Sequence, residues 1–186
     1  MKKEKTGVEW YSWYLFQAMA RCTPDDWKVR CYVPDELGIR NYELGDWEYR
    51  RLRWIGRGWT QGRLSMEMIK SPPDVLFIPS HSIPLVHPPQ TVTTVHDVVF
   101  LKYPELYDPE DLKNQLRSFN FAKQFAKKII VPSKATRDDL IAAGVSAGQV
   151  VVIPHGVETN HNPSQPPLIF PPKADPPWEE RGGEIA

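Results

Sequence analysis

The chain has 186 residues, and its 23 Lys and Arg are balanced by 23 Asp and Glu. It therefore lacks the basic excess of a nucleic-acid binder, although "YRRLRWIGRGW" (Tyr49 to Trp59) is a local basic patch. The length suits one ordinary domain with a full core plus some extra chain. No apolar run approaches the roughly 20 residues that span a bilayer, and the charged "MKKEK" start leads into no signal-peptide core, so a soluble, cytoplasmic protein is expected, with peripheral membrane contact left open. Cys22 and Cys31 have neither metal-site nor disulfide-framework spacing and read as buried thiols in a reducing compartment.

In chain order, "TGVEWYSWYLFQAMARC" has helical apolar spacing with one broad buried face. Thr6 and Glu9 have capping-box spacing, so this helix is expected to start near Gly7. Trp27 to Val33 alternates as a strand, and Glu48 to Trp54 is a second. "TQGRLSMEMIK" reads as a helix interrupted by Gly62. "SPPDVLFIPSH" gives a loop and a short buried strand, Asp74 to Ile78, and "QTVTTVHDV" gives another strand.

The plainest helix is "DPEDLKNQLRSFNFAKQFAKK". Asp108 can cap it, Pro109 suits its first turn, acidic residues lead and lysines close it. "IIVPS" is a short buried strand, "KATRDDLIAAGV" a helix stopped by Gly144, and "QVVVIPHGV" the last strand. Short continuous apolar strands alternating with helices point to an α/β fold, a Rossmann-like, mostly parallel sheet with helices on both faces. Residues 1–158 form the expected domain. The proline-rich stretch 159–186 has almost no periodicity and is expected to be extended or disordered.

The segments "TGVEWYSWYLFQAMA", "PPDVLFIPSHSIPL", "TVTTVHDVVFLKYPELY", "AKKIIVPSKATRDDLI" and "VVVIPHGVE" occur in this order from Thr6 to Glu158. In these the chain resembles the N-terminal half of family 4 glycosyltransferases of the two-domain GT-B type. That resemblance implies two Rossmann-like domains facing a cleft. The N-terminal one holds mainly the acceptor, and the C-terminal one holds most of a nucleotide-diphosphate sugar. It further implies sugar transfer with retention of configuration, no cofactor and no metal, and guanosine-diphosphate mannose as the default donor. The acceptor would be a glycan or a lipid.

On the same resemblance, Gly7 and Val8 open the first helix on the donor side, where a missing Cβ allows backbone N–H groups to approach sugar or phosphate. His96 ends a parallel strand beside the transferred sugar, with Asp97 next to it, and these two are the expected catalytic pair. Ligands of such folds lie outside the carboxyl ends of the strands. His96 is assigned positioning and electrostatic work rather than attack; its plainer reading is a loop histidine. His155 and Gly156 match the "PHGV" crossover toward the donor domain, with Gly156 as hinge or tight turn. His81, Ser82, Ser133 and Arg137 are acceptor-side candidates. For Ser133 the simple alternative is an N-cap, and for Arg137 an exposed helix arginine. Tryptophans 10, 13, 27, 47, 54 and 59 read as packing, with Trp10 or Trp59 able to stack on a ring.

Two departures from the family pattern matter. Only "MKKEK" precedes Thr6, where the family has an apolar strand that is central in the order 3-2-1-4-5. Without it, two ladders of backbone groups and some apolar helix faces need another partner. The family's Glu-x7-Glu motif has no counterpart after Val157, where Glu179, Glu180 and Glu184 lie in the tail. An acceptor-side half, inactive alone and completed by a C-terminal domain in trans, is the expectation. The competing reading is a non-catalytic glycan-binding module that completes a site with a partner chain.

Overall fold

The computed structural model describes residues 7–34 and 46–156. Thr6 and the tail after Gly156 lie outside these, and so do the capping box and the tail expectation. The fold is α/β with parallel strands and helices, and the described chain divides into two units, one up to Arg53 together with Gly156, the other Trp54–His155.

The first unit contains α1 (Gly7–Cys22), β1 (Arg30–Pro34) and β2 (Glu48–Leu52). β1 and β2 pair in parallel with Cys31 opposite Tyr49, and Arg30 Nε donates to Glu48 Oε2 at 2.9 Å. α1 forms where expected, but it buries no residue. The expected broad buried face is corrected: Trp10, Tyr14 and Met19 are about 40 % exposed, and Trp10 stacks on Tyr14 at 5.7 Å. The rings of α1 meet one another and the edge of Trp47, which lies 6.3 Å from Phe16. Trp47 is buried, and its indole donates to Thr23 Oγ1 at 3.1 Å. Cys22 is exposed and Cys31 half-buried, so the expectation of two buried thiols fails for Cys22, which occupies the last turn of this uncovered helix.

The second unit begins with a five-residue π-turn, Thr60–Leu64, which runs into α2 (Ser65–Lys70). Leu64 N donates to Trp59 O, five residues back, at 3.0 Å. Then follow β3 (Leu76–Ile78), β4 (Thr91–Thr94), α3 (Val99–Lys102), α4 (Pro109–Phe125), β5 (Lys128–Val131), α5 (Lys134–Ala142) and β6 (Val150–Val152). The four strands form one parallel sheet in the order β3-β4-β5-β6. Among the described residues the six strands thus make two sheets rather than one.

β5 is paired on both sides, and Ile129 and Val131 are fully buried. They pack with Val95, Phe100, Phe119 and Leu140 in one apolar cluster. Asp108 caps α4 by accepting from Glu110 N, and Pro109 occupies the first turn. α5 ends at Gly144, whose φ of +82° is the left-handed region that glycine adopts without a Cβ clash. Val145 N then donates back to Leu140 O at 2.9 Å, closing the helix end. The strands are shorter than the apolar runs that signalled them. The Pro79, Pro132 and Pro154 positions follow their ends closely, and proline has no N–H to extend a ladder.

Candidate functional site

β4 ends at Thr94, so Val95 and His96 lie beyond its carboxyl end. The buried run continues through Val95 because its N–H still donates to Ile130 O at 2.9 Å. One residue later the chain emerges and His96 is half-buried. Its Nε2 lies 3.1 Å from the carbonyl oxygen of Pro79, just past β3. Its ring lies 5.6 Å from that of His155, past β6, at 62°.

His81 comes from the same loop as Pro79. It stacks at 6.0 Å on Phe100 of α3, with Gln115 of α4 beside it. Burial pushes its imidazole below the ordinary histidine value and His96 adds to this, while Gln115 and Asp97 partly oppose it. His155 is lowered by burial and then by His96, although it is largely exposed. The rings of His96 and His155 thus meet past β4 and β6, and His81, past β3, lies near enough to His96 to feel its charge. An imidazole can both give and take hydrogen bonds to hydroxyls.

The remaining candidates divide. Asp97 is exposed, and its Oδ1 accepts from Val99 N at 3.1 Å, so it shapes the turn into α3. Ser133 caps α5: its Oγ accepts from Thr136 N at 3.0 Å and lies 3.0 Å from Thr136 Oγ1. Arg137 forks onto its neighbour Asp138, with Nε and Nη2 at 3.1 and 2.9 Å from Oδ1. Ser82 Oγ accepts from Gln61 Nε2 at 2.9 Å. Gly7 and Val8 open α1 in the first unit, and Gly156 follows His155. Among the described residues, a Cβ at Gly7 or Gly156 would meet no atom within 4 Å.

Gln61 escaped the sequence reading. The π-turn that presents it is built from non-local parts. Gly58 has φ +81°, and a Cβ on Gly62 would lie 2.7 Å from Cζ2 of the Trp54 indole, whose Nε1 donates to Arg57 O at 3.1 Å. The three glycines of "GRGWTQG" were the available signal. Four residues after Gln61, Ser65 Oγ accepts from Val86 N at 3.2 Å. On the other side Thr93 Oγ1 donates to Ser80 O, and Thr91 Oγ1 donates to Pro88 O at 2.7 Å. The loop carrying His81 and Ser82 is therefore tied to α2 and its π-turn on one side and to β4 on the other.

Among the described residues no group of three His, Cys, Asp or Glu side chains could hold a metal ion. Burial pushes the Cys31 thiol up to about 11, which suits packing rather than nucleophilic work. No helix among the described residues is long and apolar enough to cross a membrane.

The fold is that of an α/β protein with parallel sheets, and polar side chains lie past several of its strand ends. The class narrows with the family comparison: the model for Glycosyltransferase Family 4 matches residues 5–161, most of the chain. The chain belongs to glycosyltransferase family 4, and its chemistry is glycosyl transfer between a sugar donor and an acceptor. Comparison with curated proteins and with solved structures gives no match.

Proposed function

We propose that this chain is the acceptor-side domain of a retaining GT-B hexosyltransferase, which moves a sugar from a nucleotide-diphosphate donor to a glycan or lipid hydroxyl. The reading rests on the convergence of His81, His96 and His155 at the strand tips of a family 4 chain. His96 positions the transferred sugar, and Asp97 fixes the turn that presents it. His81 and Ser82 line the acceptor side on a loop held from both flanks. Ser133 and Arg137 contribute there through the start of α5, and Ser133 does so while it caps the helix. Gly7, Val8, His155 and Gly156 are the residues assigned to the donor side by the match to the family's segments.

Guanosine-diphosphate mannose is the first donor to try, and the transfer takes no metal or other cofactor. A complementary donor-binding domain, in the same polypeptide or in trans, completes the cleft. The work is done at the cytoplasmic side, with any membrane contact peripheral. The test mixes the chain with labelled sugar nucleotides and an acceptor panel, alone and with the C-terminal half of a family member. Transfer that appears with that half and is abolished by His96→Ala is the expected result. No product under either condition, with acceptor binding intact, would favour a non-catalytic module.

A further inference from the structure

The loop that leads into the π-turn holds an apolar side chain out in solvent. Ile55 is 100 % exposed, so packing does not account for an isoleucine there. The loop around it is nevertheless shaped from within. Gly56 and Gly58 take positive φ, +92° and +81°, and Trp54 Nε1 donates to Arg57 O at 3.1 Å. A formed turn therefore presents Ile55 and Arg57.

The same surface continues onto α2. The Trp54 indole covers Gly62, since a Cβ there would lie 2.7 Å from Cζ2 and 2.9 Å from Cη2. Met66 and Ile69 follow Gly62 at helical spacing, so they share its face of the helical run. Both are more than half exposed, with Lys70 exposed beside them, whereas Leu64, Ser65, Glu67 and Met68 turn inward. From Trp54 to Pro73 the only acid is Glu67, which is buried and paired with Arg63 at 3.0 Å. Arg57 and Lys70 are exposed and pair with no carboxylate among the described residues.

An apolar stripe with an indole and cations at its edge suits the interface of a negatively charged bilayer. A protein partner would need a preformed pocket to receive the protruding Ile55, whereas a lipid surface yields around it. We propose that Trp54, Ile55, Arg57, Met66, Ile69 and Lys70 form a docking face for an anionic membrane surface. Ile55 and the Met66–Ile69 stripe enter the boundary between headgroups and acyl chains, and Arg57 and Lys70 meet lipid phosphates. This face adjoins the loop of Ser82, because Gln61, next to Gly62, donates to Ser82 Oγ at 2.9 Å. On the sugar-transfer reading, and only on it, a membrane-borne acceptor then ranks ahead of a soluble glycan. The docking itself stands without that reading.

The experiment floats the full chain with vesicles of phosphatidylcholine, alone or mixed with phosphatidylglycerol. Binding to the mixed vesicles that weakens as salt is added is the expected result. Arg57→Ala and Lys70→Ala should each weaken it about fivefold, and Ile55→Ser about tenfold. Leu106→Ser removes an exposed apolar side chain elsewhere in the same unit and should leave binding unchanged. All four positions are exposed, so the urea midpoints should stay near wild type. Equal affinity for both kinds of vesicle, or equal losses from Ile55→Ser and Leu106→Ser, would overturn the proposal. So would absence of vesicle binding, and self-association abolished by Ile55→Ser would then assign the face to a second copy of the chain. The assay contains neither sugar nucleotide nor acceptor, so its failure is distinct from a failure of sugar transfer.

Discussion

The β1–β2 pair and the β4–β5–β6 core both join strands in parallel, yet they bury them differently. Around β5 the strand residues Ile129 and Val131 have no exposed surface, and Leu140 of α5 is sealed against them. In the first unit α1 carries Trp10, Trp13, Tyr14 and Phe16 and buries none of them. Parallel strands need cover, and among the described residues the helices of the second unit pack apolar side chains onto β5, whereas α1 buries none of its own. The difference teaches where a site can be held firmly. His81, His96 and His155 follow strand ends of the buried sheet, whereas among the described residues the helix richest in aromatic rings buries none of them.

The sharpest way to break the comparison is to remove a side chain from each unit. Leu140→Ala should destabilise the chain by about 2–5 kcal/mol, since it empties a fully buried position. Met19→Ala, on the exposed side of α1, should stay within about 0.5 kcal/mol. Urea unfolding read at equilibrium measures both, and equal losses would erase the distinction between the units.

A smaller effect is expected at the π-turn. Gly62→Ala places a Cβ 2.7 Å from Trp54 Cζ2, and a rigid indole held by its bond to Arg57 O cannot move aside cheaply. A loss of about 1–3 kcal/mol is expected, accompanied by a change in Trp54 fluorescence. An unchanged unfolding midpoint would show that the ring yields.

Next comes Gln61→Ala, which deletes the bond to Ser82 and should lower stability by about 0.5–1.5 kcal/mol. The more telling readout is local. Amide exchange at Ser82 and at Val86, the residue tied to Ser65, should speed up while β5 amides stay protected. Uniform acceleration would mean that the loop has no separate anchorage.

The smallest effect is a pH dependence from His81. Its imidazole is lowered mainly by burial, so below the ordinary value of 6.5 the unfolded chain binds a proton that the folded chain resists. The stability tied to neutral His81 is therefore whole above pH 6.5 and declines as the pH falls toward the lowered folded value. Comparing unfolding midpoints of wild type and His81→Asn from pH 7.5 to 5 isolates this slope, and parallel curves would remove it.

Much of the second unit was legible because its signals are local. Asp108-Pro109 opens α4, Gly144 closes α5, and "IIV" can only be a buried strand or part of a buried helix, with the flanking proline deciding. The placement of His96 just past β4 was legible for the same reason, since an apolar β-branched run stops there. What escaped depends on partners distant in sequence. The π-turn needs Trp54 over Gly62, Gln61 needs Ser82 across the loop, and the exposure of α1 depends on what covers a helix, which periodicity alone does not specify. The short α3 after Asp97 was hidden because an Asx turn and one helical turn leave no periodic pattern.

The central claim is that the tips of β3, β4 and β6 form one sugar-reading rim. Its most direct test follows the histidine signals of the whole chain while methyl glycosides and guanosine-diphosphate mannose are added. His87, which packs instead against Phe121 and Phe125, is the internal control. The account predicts that His81, His96 and His155 shift together at one saturating concentration while His87 stays still. Shifts confined to His87, or His96 and His155 responding to different ligands independently, would contradict it.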